Sequence, residues 1–346
     1  MSWKKLNEIV SMCEKPVLGK VKAEKRYMAL SVDKSTLKDK TKLGIAREIT
    51  KSQGHPDVPG FIDESKLIIV KSNDLLNWIK ISDLKINNIE SIIEKISGKD
   101  KYFIGLEDPD IFVDELEIKH VYFTIAFKLK NRIGYKVYLG HAMGRNLEDL
   151  TSTYPVLGPL DNIDGFKETC ICPVNNTGFR YILNEILVYN KKEGYSAVSV
   201  STTNNIGEPW KYEKIILNPK EQNYSWVRGH ISPCTLFSPN LISKDKLLYG
   251  IANGRERTKK INGKQIYGKF RPGLFLFNPK TGEIPWVDKK PLIEDPDATT
   301  ITFASDFVQT EKDKGVLYCH VNDSFVRAYE IDAKELRKYL KMTIRF

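Results

Sequence analysis

Runs of β-branched, aliphatic and aromatic residues recur along the chain, divided by polar turns. The plainest are Leu67–Ser72, Tyr135–Gly140, Ala197–Ser201, Leu274–Asn278 and Phe325–Tyr329. They are short and rich in strand-favouring residues, so they predict β-structure. Ahead of each lies a second run: Arg26–Ser31, Val121–Phe127, Tyr181–Ile186, Leu247–Ile251 and Val316–His320. Ahead of that lies a more polar one: Lys15–Val17, Glu107–Phe112, Glu168–Val174, His230–Phe237 and Thr299–Val308. The turn that closes a unit often carries a tryptophan, as at Trp78, Trp210 and Trp286, which read as structural. The units recur about every 50 to 80 residues, room for about four strands each. This pattern predicts an all-β fold, a five-bladed β-propeller over residues 1–346, ahead of an irregular β-sandwich. In a propeller the first strands surround a channel, so their polar ends converge on one funnel.

Two stretches break the pattern. Ile86, Ile89, Ile92, Ile93 and Ile96 stand at helical spacing, with Gly98 as a stop. Near the C-terminus, Asp332 followed three residues later by Glu335 predicts a capped helix. Residues Ser35 to Asp63 are polar, with Gly54, Pro56, Pro59 and Gly60, and predict a long loop that overhangs the funnel. Thr258 to Gly268 predicts a hairpin tip.

The chain has 346 residues, 41% of them hydrophobic, enough for a large core. No apolar run is long enough to span a membrane, and Met1–Lys15 lacks an apolar signal core, so a cytoplasmic product without membrane contact is expected. The net charge is +10, which could attract phosphate, anionic sugars or nucleic acid. The lysines are scattered and form no block, so nucleic-acid binding is not expected. Five cysteines, Cys13, Cys170, Cys172, Cys234 and Cys319, lack zinc-site spacing and read as buried thiols. A homo-oligomer is compatible with the sequence. No metal cluster, phosphate loop or cofactor motif stands out.

The sharpest motif is Gly105-Leu106-Glu107-Asp108-Pro109-Asp110. A proline after the acidic pair favours an extended backbone at Asp108. Adjacent strand residues point apart, so one acid would face the funnel and the other would brace it. The plainer alternative is a solvated acidic turn. From here on the chain resembles glycoside hydrolase family 130, the β-mannoside phosphorylases and hydrolases. Gly105, Glu107, Asp108 and Pro109 match the family's Gly-x-Glu-Asp-Pro-Arg, with Asp110 where Arg is usual. Lys167-Glu168 ahead of Cys172-Pro173, Gly229-His230 with Pro233, Leu247-Leu248-Tyr249, and Cys319-His320-Val321-Asn322-Asp323 resemble later motifs, in order.

The resemblance implies a five-bladed propeller, a glycoside or oligosaccharide substrate, and Asp108 as general acid. Glycoside hydrolysis needs a protonated acid and a second carboxylate. Glu168 and Glu185 are the candidates for the second, and rim carboxylates are the alternative. Glu185 stands where the resembling phosphorylases carry an arginine, which favours hydrolysis by inversion. Lys167, with Arg145, Arg228 and Arg255, could instead hold inorganic phosphate as co-substrate of a phosphorylase. Glu107, His230, Tyr249, His320 and Asp323 are expected to contact sugar, and Trp226 to stack on a sugar ring. The histidines could equally be structural hydrogen bonders, and Asp323 part of an Asn-Asp turn. A non-catalytic propeller that binds a glycan or protein is a further alternative. A propeller furanosidase or fructosidase built on Asp33 ranks last, because Asp33 lacks the Asp-Pro context.

Overall fold

The computed structural model describes residues 2–21, 24–54, 61–130, 134–174, 178–189 and 194–344. It is nearly all β. Its strands form consecutive antiparallel sets. The first set is Tyr27–Val32, Lys42–Gln53, Ile62–Ser72 and Ile79–Asp83. The second is Lys101–Val113, Lys119–Leu129, Tyr135–Gly144 and Leu150–Ser152. The third is Ile163–Val174, Arg180–Tyr189, Gly194–Thr203 and Lys211–Leu217. The fourth is His230–Leu236, Leu247–Arg255, Phe270–Asn278 and Glu283–Pro291. The fifth is Thr302–Glu311, Lys314–Val321 and Phe325–Asp332, completed by the N-terminal strand Val10–Cys13.

The lead strand of each set packs beside that of the next, and Thr302–Glu311 packs back against Tyr27–Val32. Polar side chains tie these strands together. Asp306 accepts from Val32 N at 2.8 Å, and Asn253 holds the backbone of Ala304 from both sides. The apolar cores lie between neighbouring sets. Ile45, Leu67 and Ile69 meet Ile111, Val121 and Phe123. Tyr122 and Leu139 meet Phe166, Ile182 and Ile186. Cys170 and Cys172 share the next core with Trp226, Ile231 and Phe275. All five cysteines are buried.

Two α-helices stand among the described residues. The first, α1, spans Ile89–Ser97 and buries Ile89, Ile92 and Ile96, as the isoleucine spacing predicts. The second, α2, spans Ala333–Thr343, and Asp332 caps it by accepting from Lys334 N and Glu335 N. The hairpin expected within 258–268 is present as Lys259–Ile261 paired with Lys264–Ile266.

Three expectations are corrected. Residues 35–63 are largely strand where they are described. Lys42–Gln53 is the second strand of the first set, and Ile62 opens the third; residues 55–60 lie outside the described residues. Ile45 and Ala46 face two different cores, so this strand is apolar on both sides at its centre and polar at its end. Arg26–Ser31 therefore leads its set where a second strand was expected. Lys15–Val17 is not a strand of the first set; the chain there makes single bonds to Val326.

Candidate active site

The site begins with two glycines that let one set touch the next. Gly105 and Gly165 each make a parallel contact with the preceding set, to Ser65 and Val137. Their φ angles are 144° and 142°. A Cβ at Gly105 would stand 2.2 Å from Ser65 O, and at Gly165 1.8 Å from Val137 O. Only glycine tolerates both demands. Three residues beyond each glycine the strand bulges. Glu107 pairs with Thr124 and Asp110 with Tyr122, so Asp108 and Pro109 together face Phe123. Lys167 pairs with Glu185 and Thr169 with Asn184, leaving Glu168 unpaired. Asp108 and Glu168 have φ of 46° and 47°.

These bulges overturn the expectation of an extended Asp108 and of divergent acids. Proline has no N–H to leave unsatisfied at the unpaired position. The bulge also turns Glu107 and Asp108 toward one partner. Arg47 donates to Glu107 Oε1 at 2.7 Å and to Asp108 Oδ1 at 3.1 Å. Lys167 Nζ lies 3.7 Å from Asp108 Oδ2 and 3.8 Å from Glu185 Oε2. Glu168 is hydrogen-bonded to Asp108.

Neighbours then divide the protons. Burial alone would raise every carboxyl here. At Asp108, Arg47, Lys167 and His320 outweigh burial and hold it below the usual range. Glu168 is pushed well above it by burial, with the Asp108 charge adding to the effect. The Asp108–Glu168 pair thus keeps one proton, and it rests on Glu168. Burial raises Glu107 to about 7 despite Arg47, and it also raises Glu185. Glu185 accepts hydrogen bonds from Ser196 and Ser232.

His230 lies beside this cluster. Its Nδ1 accepts from Ser196 N at 3.0 Å and stands 2.7 Å from Ser196 Oγ. A backbone N–H can only donate, so the ring proton is on Nε2. Burial, with Arg255 and Lys167, holds His230 neutral. His320 Nδ1 receives Ala29 N at 3.4 Å, its Nε2 is 3.3 Å from Asp323 Oδ1, and its ring stacks on Phe303. Asp323 adds to the field at Arg47, so it belongs to the same assembly.

Two expected contacts are not brought here. Trp226 is 1% exposed, packs on Gly254 and Gly273, and donates to Asp288 O at 3.0 Å. Its rings offer no face to a sugar. Tyr249 is buried in the core between the fourth and fifth sets. Both are large aromatics, and core packing took them. Arg228 has a buried Nε without a hydrogen-bond partner, and it makes no ion pair with the carboxylates among the described residues. Asp110, at the position of the family's arginine, lies with Ser31, Lys34 and Asp306, and burial raises it to about 7.

Arg47 was not among the expected residues, although it binds both Glu107 and Asp108. The alternation of Leu43, Ile45, Arg47 and Ile49 was a strand signal hidden within a polar stretch. Ser196 and Ser232 gave no signal. Among the described residues no group of His, Cys, Asp or Glu is arranged to hold a metal ion. A depression of about 630 Å³ lined by Phe179, Tyr181, Thr202, Lys211 and Glu213 lies apart from the carboxylates. Its lining has no acid pair.

No family model matches the chain, and a search of curated proteins finds no match. Solved structures do match. The β-1,2-mannobiose phosphorylase from Listeria innocua superposes with a TM-score of 0.63 at 13% identity, over 98% of this chain and 95% of that one. A glycosyl hydrolase from Bacteroides ovatus gives 0.65 at 17% identity, over 93% and 89%. MPT-4, a mannose phosphorylase from Leishmania mexicana bound to phosphate, gives 0.57 at 13% identity, over 94% and 90%. The chain shares its fold with these proteins, the propeller glycosidase fold that its resemblance to glycoside hydrolase family 130 implied.

Proposed function

We propose that the protein is a glycoside hydrolase that cleaves a mannoside-like bond with inversion, on one five-bladed propeller over residues 1–346. The ring-wise packing of the lead strands supports the closed propeller. The single observation that carries the chemistry is the Asp108–Glu168 pair, two buried, hydrogen-bonded carboxyls from equivalent bulges. The pair holds one proton, on Glu168; Glu168 passes it to Asp108, which delivers it to the leaving oxygen. Glu185 accepts a proton from the water that attacks the anomeric carbon on the opposite face. A raised pKa makes Glu185 a better base. Inversion needs room for water between acid and base, ~6.5–9.5 Å between carboxyls. Asp108 and Glu185 both reach the Lys167 ammonium, at 3.7 and 3.8 Å, distances compatible with such a gap. Glu107, His230, His320 and Asp323 line the place where sugar hydroxyls would bind.

Hydrolysis is favoured because Arg47 and Lys167 are already held by Glu107, Asp108 and Glu185. A phosphate dianion would meet four carboxyl groups there. Phosphorolysis is the second reading, favoured by two of the matched phosphorylases and by Arg255, which has no ion-pair partner among the described residues. Sugar release from β-mannosides and other oligosaccharides, with and without phosphate, tests the choice. Release without phosphate, lost in Asp108→Asn, is expected. Release only with phosphate, as a sugar 1-phosphate, would establish the second reading.

A further inference from the structure

The cations of this region differ in how they are used. Arg47 and Lys167 are bound to carboxylates, whereas Arg255 is 8% exposed and its guanidinium has no hydrogen-bond or ion-pair partner among the described residues. Its Nε is sealed from solvent and makes no hydrogen bond. Aromatic faces hold the guanidinium in place: its Cζ lies 4.3 Å from the Tyr267 ring centroid and 5.2 Å from that of Phe270. Arg255 is the cross-strand partner of His230. The Nε2–H of His230 also has no acceptor among the described residues. Burying a charge without a counter-ion is costly. Burial lowers Arg255 to about 10, a cost that an arriving anion would offset.

We propose that Arg255 and His230 form an anion subsite beside the acid pair, which takes the carboxylate of a uronic-acid unit in the substrate. This rests on glycoside cleavage at the neighbouring carboxyls. One guanidinium offers one positive charge and a planar fork, which matches a monoanionic carboxylate bidentately. Phosphate would bring a second charge toward Glu185, whose field already reaches Arg255. The ring stacking leaves the fork's orientation fixed before the ligand arrives, as specific recognition requires.

The test compares pairs of ligands that differ only in the acid group. Binding of methyl β-mannuronide and methyl β-glucuronide is measured by calorimetry against methyl β-mannoside and methyl β-glucoside, with inorganic phosphate as a separate arm. The full-length Asp108→Asn protein is used so that no ligand is cleaved. The uronides should bind tighter by on the order of 10-fold to 100-fold. Arg255→Gln should erase that preference, and Arg255→Lys, which keeps the charge and loses the fork, should retain part of it. The parent comparison needs no Arg255 variant, so misfolding of either cannot rescue the idea. Equal binding of acid and neutral partners overturns the subsite, as does phosphate binding that depends on Arg255 without uronide preference. A uronide preference in a protein that cleaves no glycoside would uphold the subsite and sink the hydrolase reading. Cleavage of neutral glycosides without uronide preference would do the reverse.

Discussion

The bulges at Asp108 and Glu168 are near copies in backbone and opposites in charge. Each follows a glycine pressed on the preceding set, and each turns a carboxylate residue to a φ near 46°. Asp108 receives Arg47, Lys167 and His320 and stays ionised; Glu168 is pushed up by burial and by the charge of Asp108. A third bulge, at Ala29 in the first set, has φ of 47° and carries no acid. Fold geometry thus aims the side chains, and the neighbours decide which one holds the proton.

Removing one member of the pair should have the largest effect. Asp108→Asn or Glu168→Gln should lower kcat by on the order of 10²–10⁴ while leaving the melting temperature near that of the parent. Near-normal turnover of either would show that the shared proton is not used. Arg47→Gln should come next. It leaves Glu107 and Asp108 buried without their guanidinium, at a cost of about 3–5 kcal/mol in denaturant unfolding. It should also let the pair keep its proton to higher pH, moving the alkaline limb of the pH–rate profile upward. An unmoved limb would mean that Arg47 does not set the asymmetry.

The two glycines sharpen the backbone half of the comparison. Gly165→Ala should destabilise by about 2–4 kcal/mol, and Gly105→Ala by somewhat less, because its clash is 0.4 Å milder (2.2 against 1.8 Å). Equal stability of Gly165→Ala and parent would refute the close approach. A smaller effect should come from a buried pair away from the acids. His120 Nδ1 and His141 Nε2 are 3.0 Å apart, and burial drives His141 down to about 3. The unfolded chain takes up that proton first, so the contribution is full above about pH 6.5 and falls as pH drops toward 3. Through this group stability should be about 2 kcal/mol lower at pH 5 than at pH 7. His141→Asn should flatten that slope.

Much of the layout was legible because strand runs and turns repeat. Asp108 and Glu168 could be read together, since equivalent places in a repeat point to one axis, whereas Glu185 came from the family resemblance. Arg47 could not, because Gly54, Pro56 and Pro59 made its strand look like a loop. Asp108 was expected to be extended because proline restricts its predecessor, but the bulge prevailed. Trp226 and Tyr249 show the limit for aromatics: a strand sequence does not say whether a ring faces a core or a channel. Arg255 was legible only as a cation, and its lack of a partner needed the neighbouring strands.

The proposed mechanism uses a shared proton for inverting hydrolysis. The most direct test is ¹H NMR of the first sugar released by the parent protein in phosphate-free buffer, with Asp108→Asn as control. The anomer opposite to the substrate's configuration should appear first, and the variant should release none. A retained anomer, or undiminished release by Asp108→Asn, would contradict it.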